Sequence, residues 1–243
     1  MLTVIARLIS LFFLMLLSIS NSYASGMVSH CHPLPNSNKA QYIIAYGSLM
    51  ETKSKNGTDS TSGENRPVSV TNYQRGWFSR GEAIGLSTTY LGVIKNLDAH
   101  FNGTVFPVAT PASLKNYDKR EKYYCRVSVP KETIHTLDCS NLAEAEFWIY
   151  VIKPEFMAKP SKKYPIVESY VDIFLSGCIE IENKFHLKNF ATDCVSTTRN
   201  WSTHWVNDRI YPRRPFVFEP NALEIDNLLN NKIPEIFHQI KIE

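Results

Sequence analysis

The sequence predicts an α+β fold, because β-like apolar runs dominate residues 41–152 and helical patterns follow them. Residues 42–45 form an apolar run typical of a buried strand, and residues 143–152 form another. From Val167 to Ile181, apolar residues recur at three- and four-residue spacing, which predicts one helix with an apolar stripe. Strands mainly first and helices mainly later favour α+β over an alternating parallel fold.

The individual elements follow from turn signals between the apolar runs. A polar stretch over 51–67 is expected to be a long surface loop, and short β-runs are expected over 68–108. The remaining predictions are a short helix in 112–124, an antiparallel pair of strands at 123–129 and 143–152, a helix starting near Ile166, and a final helix over 222–229.

Bulk composition limits the possible partners. The chain has 243 residues, is 44% hydrophobic and 20% charged, and has a formal net charge of +3. Its length suits one domain of good size or two small ones, and we expect a single domain over 41–243 with a C-terminal helical extension. Acidic and basic residues are interspersed without a basic block, so we expect no nucleic-acid partner.

The N-terminus has the pattern of a secretory signal peptide. Arg7 precedes a mostly apolar run over 8–19, and Ser22-Tyr23-Ala24 follows it. Because a transmembrane helix needs roughly 20 apolar residues, we expect a cleaved signal peptide over 1–24 and an exported protein, periplasmic or secreted. The alternative is an uncleaved N-terminal anchor. Residues 25–40 are expected to be a leader or linker, and no later segment is apolar enough to span a membrane.

The cysteines and histidines suggest weaker alternatives. Five cysteines in an exported chain permit disulfides, but the odd number leaves at least one outside an internal pair, and the connectivity cannot be deduced. A thiol hydrolase using Cys125 or Cys178 is one alternative. The triplet His30-Cys31-His32 could bind a soft metal, but its place in the leader favours a solvated segment. We therefore expect no metal and no cofactor.

A four-residue string after the first strand is a candidate binding loop. It reads Tyr46-Gly47-Ser48-Leu49. A glycine at the end of a buried strand lets the backbone turn sharply and approach a ligand closely. The N–H groups of such a turn can face a carboxylate or a developing oxyanion. Many strands end in Gly-Ser, so the string needs a second part of a site.

A charged turn about 70 residues later supplies that second part. Asp118 and Glu121 stand three apart and lead directly into a predicted strand that contains Arg126. By itself this stretch suits the solvated end of a helix. Next to the glycine loop, however, Glu121 would be a carboxylate able to move protons.

These stretches together resemble the gamma-glutamylcyclotransferase-like family, in its bacterial-type AIG2-like branch. Further resemblances lie in Gln74–Trp77, in Asn102–Phe106, and in Tyr170 followed seven residues later by Gly177. The resemblance covers about residues 41–185 and implies a small mixed β-barrel with flanking helices. It also implies that Glu121 is the catalytic carboxylate. The substrate-binding residues that it implies are Tyr46, Gly47, Ser48, Leu49 and Tyr170.

The resemblance implies a metal-independent cyclotransferase. Its substrate would be a small γ-glutamyl amine or amino acid, glutathione included. Glu121 would act as general acid and base, and the product would be 5-oxoproline. The chain departs from the family at Lys122, where glycine often follows the glutamate, and at Ser54-Lys55, where bacterial relatives often have Ser-Arg. The alternative is a non-catalytic binding module, which the polar loop and the Arg-rich segment 209–215 also suit. The sequence does not determine the oligomeric state.

Overall fold

A curled, mixed β-sheet with helices on its flanks forms the body of the protein. The computed structural model describes residues 31–83, 86–214 and 220–243, and residues 32–243 form one compact unit. The predicted signal peptide and residues 25–30 of the predicted leader lie outside the described residues. No helix in the described ranges combines the length and apolarity needed to cross a membrane.

The strands and helices occur in the following order. The strands are β1 (Ala40–Ala45), β2 (Arg66–Ala83), β3 (Leu86–Val108), β4 (Tyr124–Val129), β5 (Ile134–Thr136), β6 (Ala145–Ile152), β7 (Ile166–Val167), β8 (Thr198–Arg199), β9 (Trp205–Asn207) and β10 (Lys241–Ile242). The helices are α1 (Thr52–Asn56), α2 (Leu114–Arg120), α3 (Glu168–Phe185), α4 (Phe190–Ser196), α5 (Ala222–Lys232) and α6 (Pro234–Phe237).

The main sheet follows the order β4-β6-β1-β3-β2-β5, and β8 also pairs with β2. Strand β1 lies near its centre, antiparallel to β3 and parallel to β6. The end strands β4 and β5 do not pair with each other in the described ranges, so the sheet is a half-barrel. The predicted α+β class is therefore confirmed, and the expected barrel is open. Strands β7, β9 and β10 form a small parallel sheet.

Residues 68–83 and 86–108 lie in two long strands, where the sequence predicted several short runs. Strands β2 and β3 pair along most of their length, with register shifts between Thr71 and Tyr73 and between Trp77 and Ser79. Asn72 has a positive φ of 68° at the first shift. The apparent turn signals are thus absorbed as bulges, which bend a strand without ending it. The predicted antiparallel pair is confirmed as β4 and β6.

The polar stretch over 51–67 is more ordered than the predicted surface loop. It contains helix α1, whose N-terminus is capped by the Glu51 side chain, which accepts hydrogen bonds from the N–H groups of Lys53 and Ser54. Lys55 is buried, and its Nζ donates to the carbonyl of Gly63. Local capping and one buried cation therefore fold a segment whose composition indicated only exposure.

Helix α3 packs its predicted apolar stripe against the sheet, with Val171, Phe174 and Cys178 fully buried. Gly177 allows a close approach, because a Cβ there would lie 2.6 Å from the Glu51 nitrogen and 2.7 Å from the Met50 carbonyl carbon. A Cys178–Cys194 disulfide joins α3 to α4. The close approach at Gly177 brings α3 against the loop that follows β1, and the disulfide links α3 to α4.

Candidate functional site

The predicted binding loop begins where β1 ends. Gly47 caps a single 3-10 turn over Ser48–Met50, and the Met50 N–H donates to the Gly47 carbonyl over 2.9 Å. A Cβ on Gly47 would come within 3.0 Å of the Tyr170 hydroxyl. The glycine therefore lets the loop backbone reach the aromatic wall of α3.

Two buried polar side chains fix this loop from below. Arg75 is fully buried, and its Nη1 donates to the carbonyl of Tyr46 at 3.4 Å and to that of Asn102 at 2.7 Å. Asn65 Nδ2 donates to the carbonyls of Leu49 and Met50 at 3.1 and 2.8 Å. Because its carbonyls are held by side chains of the core, the loop is preorganised.

The N–H groups of this loop remain available. In the described part of the chain, the N–H groups of Gly47, Ser48 and Leu49 donate to no protein acceptor. Three successive free donors at the end of a buried strand can bind an anionic group or a developing oxyanion. The loop thus has the donor chemistry that the sequence predicted for it.

Glu121 ends helix α2 and lines the same cavity as the Gly47–Leu49 loop. Its N–H donates to the Tyr117 carbonyl, and its carbonyl accepts from the Tyr124 N–H, each over 2.8 Å. Its side chain is only 16% exposed, and Oε1 lies 3.2 Å from Arg120 Nε. Burial raises the pKa of this carboxyl above its ordinary value, although Arg120 and Arg214 oppose the rise. A raised pKa makes the carboxylate a better base than an exposed glutamate.

The other acidic residue of the turn has a structural part. Asp118 Oδ1 accepts from Arg126 Nε at 2.9 Å and from the Tyr150 hydroxyl at 2.7 Å. These contacts tie α2 to β4 and β6, the strands beside it. The spacing of Asp118 and Glu121 in the sequence therefore combines an anchor with a carboxylate directed toward the pocket.

Tyr170 contributes from the first turns of α3. It is 6% exposed, and its ring contacts the rings of Tyr90 and Trp77 with centroid distances of 5.0 and 5.8 Å. Burial raises the pKa of its hydroxyl to about 12, with Glu121 adding to the effect. At neutral pH this hydroxyl is therefore a neutral hydrogen-bonding group above Gly47.

All six sequence-predicted residues lie around one depression made of two adjoining cavities. The loop cavity is lined by the whole Tyr46–Leu49 string, Glu121 and Tyr170, and has a volume of about 30 Å³. The outer cavity has a volume of about 200 Å³ and includes Arg120, Lys122, Tyr90 and Arg214. Ser48, Glu121, Tyr124 and Tyr170 line both.

Sequence reasoning missed the residue that joins the two halves of the site. Arg120 Nη2 donates to the hydroxyls of Ser48 and Ser54, each over 2.9 Å, and Nη1 donates to the Ser54 carbonyl over 2.7 Å. Its Nε faces Glu121. One guanidinium thus orients the carboxylate relative to the loop. Its position next to Glu121 was visible in the sequence, but its partners lie about 65–70 residues earlier.

The thiol alternative is overturned by the cysteine pairing. Cys178 is bonded to Cys194, and Cys125 is also disulfide-bonded, so neither offers a nucleophilic thiolate. Cys31 is disulfide-bonded as well, so the triplet His30-Cys31-His32 has no cysteine thiolate to offer a metal ion. Cys139, which is exposed, is the free cysteine among the described residues.

Comparisons with known proteins agree with the fold. No protein-family model and no curated protein sequence matches the chain. A solved structure of a gamma-glutamyl cyclotransferase matches with a TM-score of 0.51 and 10% identity, covering 79% of this chain and 99% of that one. A yeast cyclotransferase described as specific to glutathione matches with a TM-score of 0.41 and 10% identity, covering 80% of this chain and 97% of that one. An uncharacterised human protein matches with a TM-score of 0.48 and 12% identity, covering 61% of this chain and 88% of that one.

The curled mixed sheet, with helices on its flanks and a pocket at the end of β1, defines an α+β protein of a known architecture. The chain has the gamma-glutamylcyclotransferase-like fold. At such low identity the likeness concerns the fold, and the chemistry has to be argued from the residues of the pocket.

Proposed function

We propose that this protein cyclises the γ-glutamyl group of a small γ-glutamyl compound and releases 5-oxoproline. The observation that carries the proposal is that the Glu121 carboxyl and the Gly47–Leu49 backbone line one cavity. A solvent-facing Glu121 would have favoured the non-catalytic binding module. A solved structure that shares this fold is described as a gamma-glutamyl cyclotransferase, which supports the reaction class.

The chemistry needs no nucleophile from the protein. The substrate's α-amine attacks its own γ-carbonyl carbon, the bond from that carbon to the leaving nitrogen breaks, and a five-membered lactam forms. Holding amine and carbonyl together can supply on the order of 7–11 kcal/mol of the barrier. The task of the pocket is therefore to fold the substrate and to move one proton.

In this proposal, Glu121 moves that proton. It accepts a proton from the attacking amine and returns one to the leaving nitrogen, a contribution worth roughly 10²–10⁴-fold in rate. The free N–H groups of Gly47, Ser48 and Leu49 bind either the oxyanion or the α-carboxylate of the glutamyl group. The small loop cavity suits one such charged group, since about 10–15 Å³ already admits a water molecule.

An assay for 5-oxoproline tests the proposal directly. We expect the purified protein, starting at residue 25, to release 5-oxoproline from γ-glutamyl amino acids or from glutathione, with the amine product in equal amount. Chromatography of both products over time measures the yield. A panel of γ-glutamyl amino acids, γ-glutamyl amines and glutathione that gives no 5-oxoproline would support the binding-module alternative instead.

We also propose that the protein acts outside the cytoplasm. The N-terminal pattern is that of a signal peptide, and a Cys178–Cys194 disulfide persists best in an oxidising compartment. We expect the full chain, expressed in a bacterial host, to yield a periplasmic or secreted protein. Its intact mass should be that of a chain that begins at Ser25. A membrane-bound product that keeps residues 1–24 would instead identify an N-terminal anchor.

A further inference from the structure

The outer cavity contains a cation that the proposed proton transfer does not use. Arg214 lies in the Arg-rich segment near the C-terminus, beyond the part of the chain that the family resemblance covers. Of its contacts in the described residues, Nη1 donates to the Tyr90 hydroxyl at 3.3 Å, and the guanidinium carbon lies 5.4 Å from that ring's centroid. Its buried Nε has no hydrogen-bond partner there. The Arg214 guanidinium is therefore held in place by Tyr90 while its Nε–H has no acceptor among the described residues.

The segment that carries Arg214 is anchored firmly beside Tyr170. Asp208 is buried, and its Oδ1 accepts from the Ser169 N–H over 2.8 Å. Its Oδ2 accepts from the Ser169 hydroxyl and from the Arg213 N–H, each over 2.7 Å. Arg209 adds an ion pair with Asp172 on α3. The position of Arg214 next to α3 is thus set by polar contacts of the residues that precede it, and its own N–H donates to the Ser169 hydroxyl over 3.3 Å.

The charges around the outer cavity do not balance. Arg120 is engaged by Glu121 and by the hydroxyls of Ser48 and Ser54. Lys122 is exposed at the rim, and Arg214 has no carboxylate within ion-pair distance among the described residues. One carboxylate therefore faces three cations, so the cavity favours an anionic group.

We propose that Arg214 binds a carboxylate carried by the leaving group, so that the preferred substrates are γ-glutamyl amino acids or peptides over γ-glutamyl amines. The inference rests on the proposed cyclotransferase function and specifies its substrate class. With the glutamyl end at the loop cavity, the leaving group extends into the outer cavity beyond Glu121. A guanidinium fork matches a carboxylate geometrically and forms charge-assisted hydrogen bonds with it.

Matched substrates and matched variants test this inference. We expect kcat/KM for γ-glutamylalanine to exceed that for γ-glutamylalaninamide by about 10–100-fold, the usual effect of hydrogen bonds to a charged group. Arg214→Gln should abolish this preference by raising KM for the acid and not for the amide, and any change in kcat through the pKa of Glu121 should be the same for both substrates. Arg214→Lys should restore part of it. Arg213→Gln is the control, because the Arg213 side chain contacts Glu243 and the Ser87 carbonyl.

The outcomes separate this inference from the proposed reaction. The inference is overturned if Arg214→Gln slows both substrates equally, or if it leaves the preference for the acid intact. If the wild-type protein converts neither compound, the proposed reaction fails, and titration calorimetry of the same two compounds decides about Arg214. Tighter binding of the acid that is lost in Arg214→Gln would still support a carboxylate subsite, whereas equal binding would overturn it.

Discussion

Replacing Glu121 with glutamine should lower the rate of 5-oxoproline release by about 10²–10⁴-fold, because the amide can neither accept nor return the proton. Glutamine has nearly the same shape, so the fold and the contact of Arg120 with Ser48 should persist. KM should change less than kcat, since Glu121 acts on the proton being transferred. Initial rates with saturating γ-glutamyl substrate, together with a thermal melt of each variant, measure both effects.

Glu155→Gln provides the matched control, because this glutamate is exposed and lies outside both cavities. A Glu121→Gln variant as active as this control would mean that another group moves the proton. The pH profile gives a second test. Burial raises the pKa of Glu121, so kcat should fall as the pH drops through a value above the ordinary pKa of glutamate, because the protonated carboxyl is no longer a base.

Replacing Arg75 with methionine should lower the free energy of unfolding by about 4 kcal/mol or more. Arg75 is fully buried and donates to the carbonyls of Asn102 and Cys194 and to the hydroxyl of Thr198, over 2.7–2.8 Å. Methionine fills much of the volume but removes these hydrogen bonds. The Cys194 carbonyl keeps a donor in the Thr198 hydroxyl, and each buried acceptor that is left unpaired costs about 1–3 kcal/mol. Urea unfolding followed by circular dichroism measures the loss.

Arg66→Met is the matched control in the same strand. Arg66 is 44% exposed and pairs with the equally exposed Glu64, a kind of ion pair that contributes about 0–1 kcal/mol. Its second partner, Asp138, is only 8% exposed but keeps two hydrogen bonds from Ser140 when Arg66 is replaced. Equal losses in the two variants would show that the Arg75 network does not stabilise the fold. Since Arg75 also holds the Tyr46 carbonyl, Arg75→Met should reduce activity at temperatures where it remains folded.

Patterns within short stretches of sequence predicted much of the fold. The apolar run before Tyr46 became β1, the two later runs became the antiparallel β4 and β6, and the apolar stripe after Ile166 became α3. These elements were predictable because each buries one face, and burial imposes a period on neighbouring residues. The length of β2 and β3 was not predictable, because the residues that form a bulge resemble those that form a turn.

The site divides in the same way. The glycine loop and Glu121 stood out by their chemistry and their position next to strands, and the structure places them in one pocket. Nothing local distinguished Arg120 from other surface arginines, because its partners Ser48 and Ser54 are remote in the chain. The burial of Arg75 was likewise hidden, since a charged residue in a strand normally indicates an exposed face.

The sequence by itself determined the strand-ending loop, the carboxylate and the helix that carries Tyr170, because each depends on residues that are neighbours in the chain. Only the tertiary structure decided which cations hold the loop and line the pocket. Arg75, Arg120 and Arg214 come from three distant segments, and their partners are chosen by how the half-barrel and α3 pack. Long-range packing brings such groups together, and a one-dimensional pattern holds no record of it.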